Sequence, residues 1–89
     1  MSSRRLAFSS DRLRPLSSLA VDECAVVADV HAHEAGRAER LLAMGVTPGA
    51  AVTMLQTFPG VVFLCDQTEL AVERSVAHAI LVRREERQT

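Results

Sequence analysis

The sequence predicts a small, mainly β barrel of about five short strands, with one short α-helix after the first strand. Its 89 residues, 48% of them hydrophobic, can bury one core but not two. Apolar runs of strand length recur at close spacing, separated by turn residues, and only residues 34–44 change to helical spacing. Strands this short and close favour a barrel or sandwich over parallel strand–helix–strand units.

The N-terminal half supplies the first elements. Residues 1–13 are rich in Ser and Arg without a clear period, which predicts a flexible arm. Residues 14–19 predict a short helical turn that places Leu16 and Leu19 against the core. In Cys24–Val30 every second residue from Cys24 onward is small or apolar, so we expect that face of the strand to be buried.

The helix predicted for residues 34–44 has one apolar stripe, and Gly45 is positioned to end it in a left-handed conformation. Glu34 lies near the first turn, where a negative charge suits the helix dipole. The residues of the stripe are Ala35, Ala38, Leu41 and Leu42.

The C-terminal half predicts four more strands. Val52 and Met54 share one face of the second strand, with Thr53 and Leu55 on the other. Proline followed by glycine in residues 58–61 predicts a type II turn. The later segments are an apolar strand at 61–65, a strand resuming at 70–72, one helical turn at 74–78 and a last strand at 79–82. The folded domain should therefore span 14–83, followed by a charged tail at 84–89.

Charge and cysteine usage exclude several classes of protein. The formal net charge is −1, and this low charge argues against nucleic-acid binding. No stretch approaches the ~20 apolar residues needed to cross a bilayer, so we expect a soluble chain without membrane insertion. Cys24 and Cys65 lie far apart in apolar runs, which predicts two buried thiols suited to the cytoplasm. No constellation of nucleophile, base or paired carboxylates indicates an enzyme.

A family resemblance is carried by the segment Arg40-Leu-Leu-Ala-Met-Gly-Val-Thr-Pro-Gly-Ala50. It resembles a signature in which a leucine-rich helix ends in Leu/Met-Gly-apolar-x-Pro-Gly. The closing pattern of that family is similar to Leu70-Ala71-Val72 with Ala77 and Ile80-Leu81-Val82 further on. Together these motifs resemble the FeoA family of small SH3-like barrels, over roughly residues 14 to 83.

The resemblance implies a cytoplasmic, non-enzymatic protein that accompanies FeoB, the ferrous iron permease with a GTP-binding domain. It implies no required cofactor. The same fold forms a C-terminal module of some iron-dependent repressors, so the alternative is a soluble module or sensor that binds Fe²⁺ or another divalent metal. Fold alone does not separate these uses.

The turn at residues 44–49 is the first candidate site. Gly45 and Gly49 are suited to backbone angles that are costly for other residues, and Pro48 fixes φ between them. One interpretation is a purely structural helix-to-strand connection. The other is that the turn also presents Val46 and Thr47 to a partner.

The histidine-containing segment after the first strand is the second candidate. His31 and His33 lie two residues apart, and with Glu34 they offer nitrogen and oxygen ligands to a divalent metal. The alternative interpretation is a polar loop between strand and helix.

The apolar excess on the strands is the third candidate. A small barrel buries one face of each strand, so Leu55, Val62 and Leu64 are expected on the outside, where contiguous apolar residues indicate an interface. An uncovered edge strand offers a partner or a second copy a place to pair, so a homo-oligomer is also open. The alternative is that the helix or the N-terminal arm covers these residues.

Overall fold

The computed structural model describes residues 12–31 and 35–84, which form one antiparallel sheet and two short α-helices. The predicted N-terminal arm lies almost wholly outside these ranges, as do His33, Glu34 and most of the charged tail. The elements in chain order are β1 (Arg14–Pro15), a 3-10 turn (Leu16–Ser18), β2 (Cys24–Val30), α1 (Ala35–Ala43), β3 (Ala51–Gln56), β4 (Val61–Cys65), β5 (Thr68–Val72), α2 (Arg74–His78) and β6 (Ile80–Arg84).

The sheet has the strand order β1-β6-β2-β3-β4-β5, and every pairing is antiparallel. The mainly β fold class is therefore confirmed, with the two-residue β1 added to the five predicted strands. Bulges interrupt the register between Val27 and Asp29 and between Met54 and Gln56. Because bulges bend a strand and increase its twist, they help so short a sheet to curve around its core.

The core is apolar throughout, since the described residues contain no buried polar or charged side chain. Full burial of each large side chain contributes about 1.5–3 kcal/mol relative to exposure. Leu16 and Leu19 are buried, as the sequence predicts. The largest fully buried side chains are Phe63, Leu16, Met54, Ile80, Val27, Val46, Val52, Val61 and Val82.

The inward face of β2 is the main correction to the predicted fold. Ala25 and Val27 point into the core, whereas Cys24 is exposed. The apolar alternation from Cys24 selected the wrong face because small residues are tolerated on either side of a strand. The prediction for Leu42 is also wrong, because its side chain is 47% exposed while Leu41, one position earlier, is buried.

The turn between β3 and β4 differs from the prediction as well. The peptide bond between Phe58 and Pro59 is cis, and Gly60 does not have the positive φ that a type II turn requires. Gly60 remains close to its neighbours, because a Cβ built there would lie 3.6 Å from the Val72 carbonyl oxygen.

A side-chain network fixes the N-terminal edge of the sheet. The Arg14 guanidinium donates to Ser18 Oγ at 3.0 Å and to Glu23 Oε2 at 3.3 Å. Glu23 Oε1 accepts the Ala20 N–H at 2.9 Å. These bonds connect β1 to the loop before β2, so the short first strand is held by side chains as well as by pairing with β6.

Candidate partner-binding surface

The end of α1 is closed entirely by backbone hydrogen bonds. The Val46 N–H donates to the Leu41 carbonyl and the Gly45 N–H donates to the Leu42 carbonyl, both at 3.0 Å. This pair of bonds defines a Schellman motif, in which the residue after the helix must be left-handed. Gly45 has φ 97°, a conformation that glycine adopts without the steric cost of a Cβ.

Val46 is fully buried, so the prediction that the turn presents it to a partner is wrong. The Schellman motif gives the physical reason, because its residue after the glycine packs on the last helical turn. Here that contact places Val46 in the same buried cluster as Leu41. Thr47 is partly exposed and keeps its place as a candidate, at the opposite end of β3 from Leu55.

The second half of the turn is fastened to β2. Gly49 has φ 96°, and its N–H donates to the Val27 carbonyl at 2.8 Å. The Val27 N–H in turn donates to the Ala50 carbonyl at 2.9 Å. Cys65 joins the turn to β4, because its buried thiol donates to the Gly45 carbonyl at 3.5 Å. Burial raises the pKa of the Cys65 thiol, which keeps it protonated as a donor at neutral pH.

The outer sheet face is the surface of β2–β5 that points away from the core. One cross-strand row on it runs from Cys24 through Thr53 and Leu64 to Glu69. The Cys24 Sγ and Thr53 Oγ1 atoms lie 3.4 Å apart, which places both on this face. A second row joins Gln56, Val62 and Ala71.

Three of the predicted apolar contact residues meet on this face. Val62 and Leu64 are two positions apart on β4 and are partly exposed. Leu55 occupies the bulge of the neighbouring β3 and is 37% exposed. Within the rows, the first charged side chain is Glu69 on the edge strand β5, so the face is a mostly uncharged patch with an acidic margin.

Phe58 is a further exposed apolar residue, in the hairpin that joins the two strands of this patch, and the sequence interpretation missed it. It stands at the tip of the β3–β4 hairpin with 77% of its surface exposed. Arg74 supports the tip by donating to the Thr57 carbonyl at 2.8 Å, and Gln56 donates to the Gly60 carbonyl at 3.3 Å. The available signal was an aromatic residue directly before proline and glycine, in a chain with only three phenylalanines.

An open groove lies between α1 and the C-terminal end of β5. It has a volume of ≈ 230 Å³. Its apolar lining consists of Val76, Met44 at 39% exposure, and Leu41, which is buried at its floor with 2% exposure. The remaining lining residues are Arg37, Arg40, Ala71, Val72 and Glu73.

Of the three predicted metal ligands, only His31 lies within the described residues. His31 Nε2 lies 2.8 Å from Asp29 Oδ2, and both side chains are more than half exposed. The hydrogen bond from His31, followed by that from the Val30 N–H, lowers the pKa of Asp29. Within residues 12–31 and 35–84, no group of three or more His, Cys, Asp or Glu side chains is arranged to hold a metal ion. Asp29 is a potential ligand that the sequence interpretation did not include.

The fold and this surface define a small SH3-like barrel with a structural turn and an exposed apolar sheet face. The FeoA domain profile matches residues 14–84. The chain belongs to the FeoA family, which is associated with ferrous iron transport. No curated protein gives a significant match. In the described ranges, neither helix has the length and apolar character needed to cross a membrane.

Solved structures agree with this assignment. FeoA from Chlorobium tepidum is 30% identical, with a TM-score of 0.71 over 79% of this chain and 69% of that chain. Stenotrophomonas maltophilia FeoA, solved in complex with zinc, is 27% identical with a TM-score of 0.70, over 76% of this chain and 87% of that chain. T. acidophilum IdeR shares the fold at 19% identity and a TM-score of 0.75, over 94% of this chain and 37% of the IdeR chain.

Proposed function

We propose that this protein is a non-enzymatic accessory protein of ferrous iron uptake that contacts the cytoplasmic GTP-binding part of the FeoB permease. Family membership supports the link to iron transport. The observation that carries the contact is the outer sheet face, where Leu55, Val62 and Leu64 lie on two paired strands, with the exposed Phe58 in the hairpin that joins them. Exposed apolar residues in a contiguous patch are typical of protein–protein interfaces, and aromatic residues often dominate their energetics.

The proposed mechanism is a shift in the populations of the permease's states. The chain acts from the cytoplasmic side, without inserting into the membrane and without catalysis of its own. Binding through the outer sheet face favours whichever nucleotide state of the permease exposes the complementary surface. The free energy by which binding shifts the permease between its two states equals the difference between the binding free energies for those states. This shift is measurable as a change in GTP hydrolysis or transport.

Leu64→Arg is the test variant for this contact. Leu64 pairs with Glu69 across β4 and β5, so an arginine there gains an oppositely charged neighbour and the fold is retained. We expect binding to the purified GTP-binding domain of the permease, measured by calorimetry, to fall at least about tenfold. Glu39→Gln, on an exposed position of α1, is the matched control and should bind like the wild type. Unchanged binding by a folded Leu64→Arg variant would reject the outer sheet face.

A second candidate function is metal binding at the end of β2, favoured by the exposed pair of Asp29 and His31. With His33 and Glu34 added, this segment offers nitrogen and oxygen ligands suited to Fe²⁺ or Zn²⁺. Calorimetric titration with each metal should give heat for the wild type and none for a His31→Ala/His33→Ala variant. Equal heat for both proteins contradicts the site.

A further inference from the structure

The strand β5 ends the sheet, and the hydrogen-bonding register identifies which of its amides face outward. The Asp66 N–H donates to the Ala51 carbonyl on β3 at 2.7 Å. The backbone groups of successive strand residues point to opposite sides, so those of Cys65, Phe63 and Val61 point to β5. The register then pairs Cys65 with Thr68, Phe63 with Leu70 and Val61 with Val72. The N–H and C=O groups of Glu69 and Ala71 therefore point to the free edge.

Nothing in the described part of the chain pairs with this edge. The side chains of Glu69 and Ala71 are both exposed, and the open groove beside α1 adjoins the C-terminal end of the strand. A strand laid along the edge would gain main-chain bonds from two residues and reach the groove, where Met44 and Val76 lie beside charged side chains. The geometry is therefore that of a strand-addition site.

A second copy of β5 fits this edge poorly because of charge. Three two-fold registers use the outward amides, centred on Glu69, Leu70 or Ala71. The first places Glu69 opposite its own copy, and the third places Glu69 opposite Glu73. The register centred on Leu70 places the two Glu69 side chains diagonally across the same face. Like charges opposite each other destabilise strand pairs, diagonal neighbours lie within reach of long side chains, and an edge charge is a common protection against self-pairing.

We propose that the β5 edge binds an extended segment of the FeoB permease that sets a lysine or arginine opposite Glu69, and that Glu69 prevents the same edge from pairing two copies of this chain. The permease as the source of the strand rests on the function proposed above. Charge complementarity selects the occupant: a cationic residue opposite Glu69 turns the repulsion of the self-pair into an attraction.

The self-pairing half of the proposal is tested on the protein alone. Glu69→Gln should form dimers in sedimentation velocity at concentrations where the wild type is monomeric. Adding Ala71→Pro should abolish those dimers, because proline removes an outward N–H that the folded sheet does not use. The matched control, Glu69→Gln with Ala71→Ser, keeps the N–H and should still dimerise. A monomeric Glu69→Gln variant, or dimers that survive Ala71→Pro, would overturn the proposal.

The partner half uses the purified GTP-binding domain of the permease as the probe. Ala71→Pro should weaken binding about tenfold because proline removes one edge hydrogen bond. Ala71→Ser keeps that bond and should leave binding unchanged. Glu69→Lys should weaken binding more than Glu69→Gln because it repels the expected cation. If the wild type binds and Ala71→Pro binds equally well, strand addition is rejected while the proposed function stands. If the wild type does not bind, the permease is rejected as the source, and the dimer experiment alone decides whether the edge accepts a strand.

Discussion

The turn after α1 and the outer sheet face differ in how completely the fold accounts for their residues. At the turn, Gly45 closes the helix, Val46 fills the core and Gly49 bonds to β2. Leu55 on the outer sheet face and Phe58 at the hairpin tip are exposed, and they make no comparable contribution to the core. Residues that a fold requires are poor evidence for a binding site, whereas exposed apolar residues that it does not require are good evidence.

This contrast explains why the most recognisable segment of the chain is not its best candidate site. The motif from Leu41 to Gly49 resembles the family signature, and here backbone geometry restricts which residues can occupy it. The outer sheet face is restricted only by strand propensity and by its partner. Members of the family can therefore share the turn and still differ in the surface that they present.

Val46→Asp is expected to have the largest effect. A carboxylate at this fully buried position has no partner and should lower the free energy of unfolding by at least about 3 kcal/mol. That is a large fraction of the roughly 5–15 kcal/mol typical of a domain. Urea denaturation followed by circular dichroism measures it. Thr47→Asp, one position further and partly exposed, is the control and should change stability far less. A stable Val46→Asp protein would show that the turn is not part of the core.

Comparing Gly45→Ala with Gly36→Ala tests the structural role of the turn with smaller expected changes in stability. At φ 97° an alanine at position 45 should destabilise the domain by about 1–2 kcal/mol, although the space for a Cβ is open. Gly36 lies in α1 with no positive φ and equally open space, so alanine there should stabilise by up to ~1 kcal/mol. Thermal denaturation of both variants gives the two signs. Equal shifts for the two would contradict the backbone explanation.

Phe58→Ala should reverse the pattern, with little effect on stability and a large effect on partner binding. Phe58 is 77% exposed, so its truncation should change the free energy of unfolding by no more than about 0.5 kcal/mol. Binding to the permease domain should weaken about tenfold or more if the ring is an interface anchor. Phe63→Ala is the matched variant, because its ring is fully buried and its loss should cost about 3–5 kcal/mol. Wild-type affinity for Phe58→Ala would restrict the contact to Leu55, Val62 and Leu64.

Most of the fold could be predicted because its signals are local. The apolar runs located β2, β3 and β4, and helical spacing located α1. The inward face of β3 followed from alternation, since Val52 and Met54 share one face as predicted and both are buried. The face of β2 did not follow, because Ala28 and Cys24 are compatible with either side and a bulge shifts the alternation after Val27.

The candidate site was less predictable for a physical reason. Exposure of Leu64 depends on which strands lie beside β4, and the burial of Val46 depends on long-range contacts of the turn with the core. Neither quantity is set by a residue's immediate neighbours in sequence. Phe58 shows the same limit, because an aromatic residue near a turn is equally compatible with a buried and an exposed position until the hairpin is placed.

The smallest expected effect lies beside the β2 bulge, in the pair formed by Asp29 and His31. The hydrogen bond from His31 lowers the folded-state pKa of Asp29 below its unfolded value. The pair therefore adds to stability at neutral pH, and that contribution disappears as the pH falls through the lowered folded pKa of Asp29. Both groups are exposed, so the change in stability should be small. Carbon-13 NMR of the Asp29 carboxyl should show a titration midpoint below that of an ordinary aspartate, and His31→Ala should raise it. An unchanged midpoint in His31→Ala would show that the backbone bond from Val30 alone causes the shift, and that His31 is available for a metal rather than engaged with Asp29.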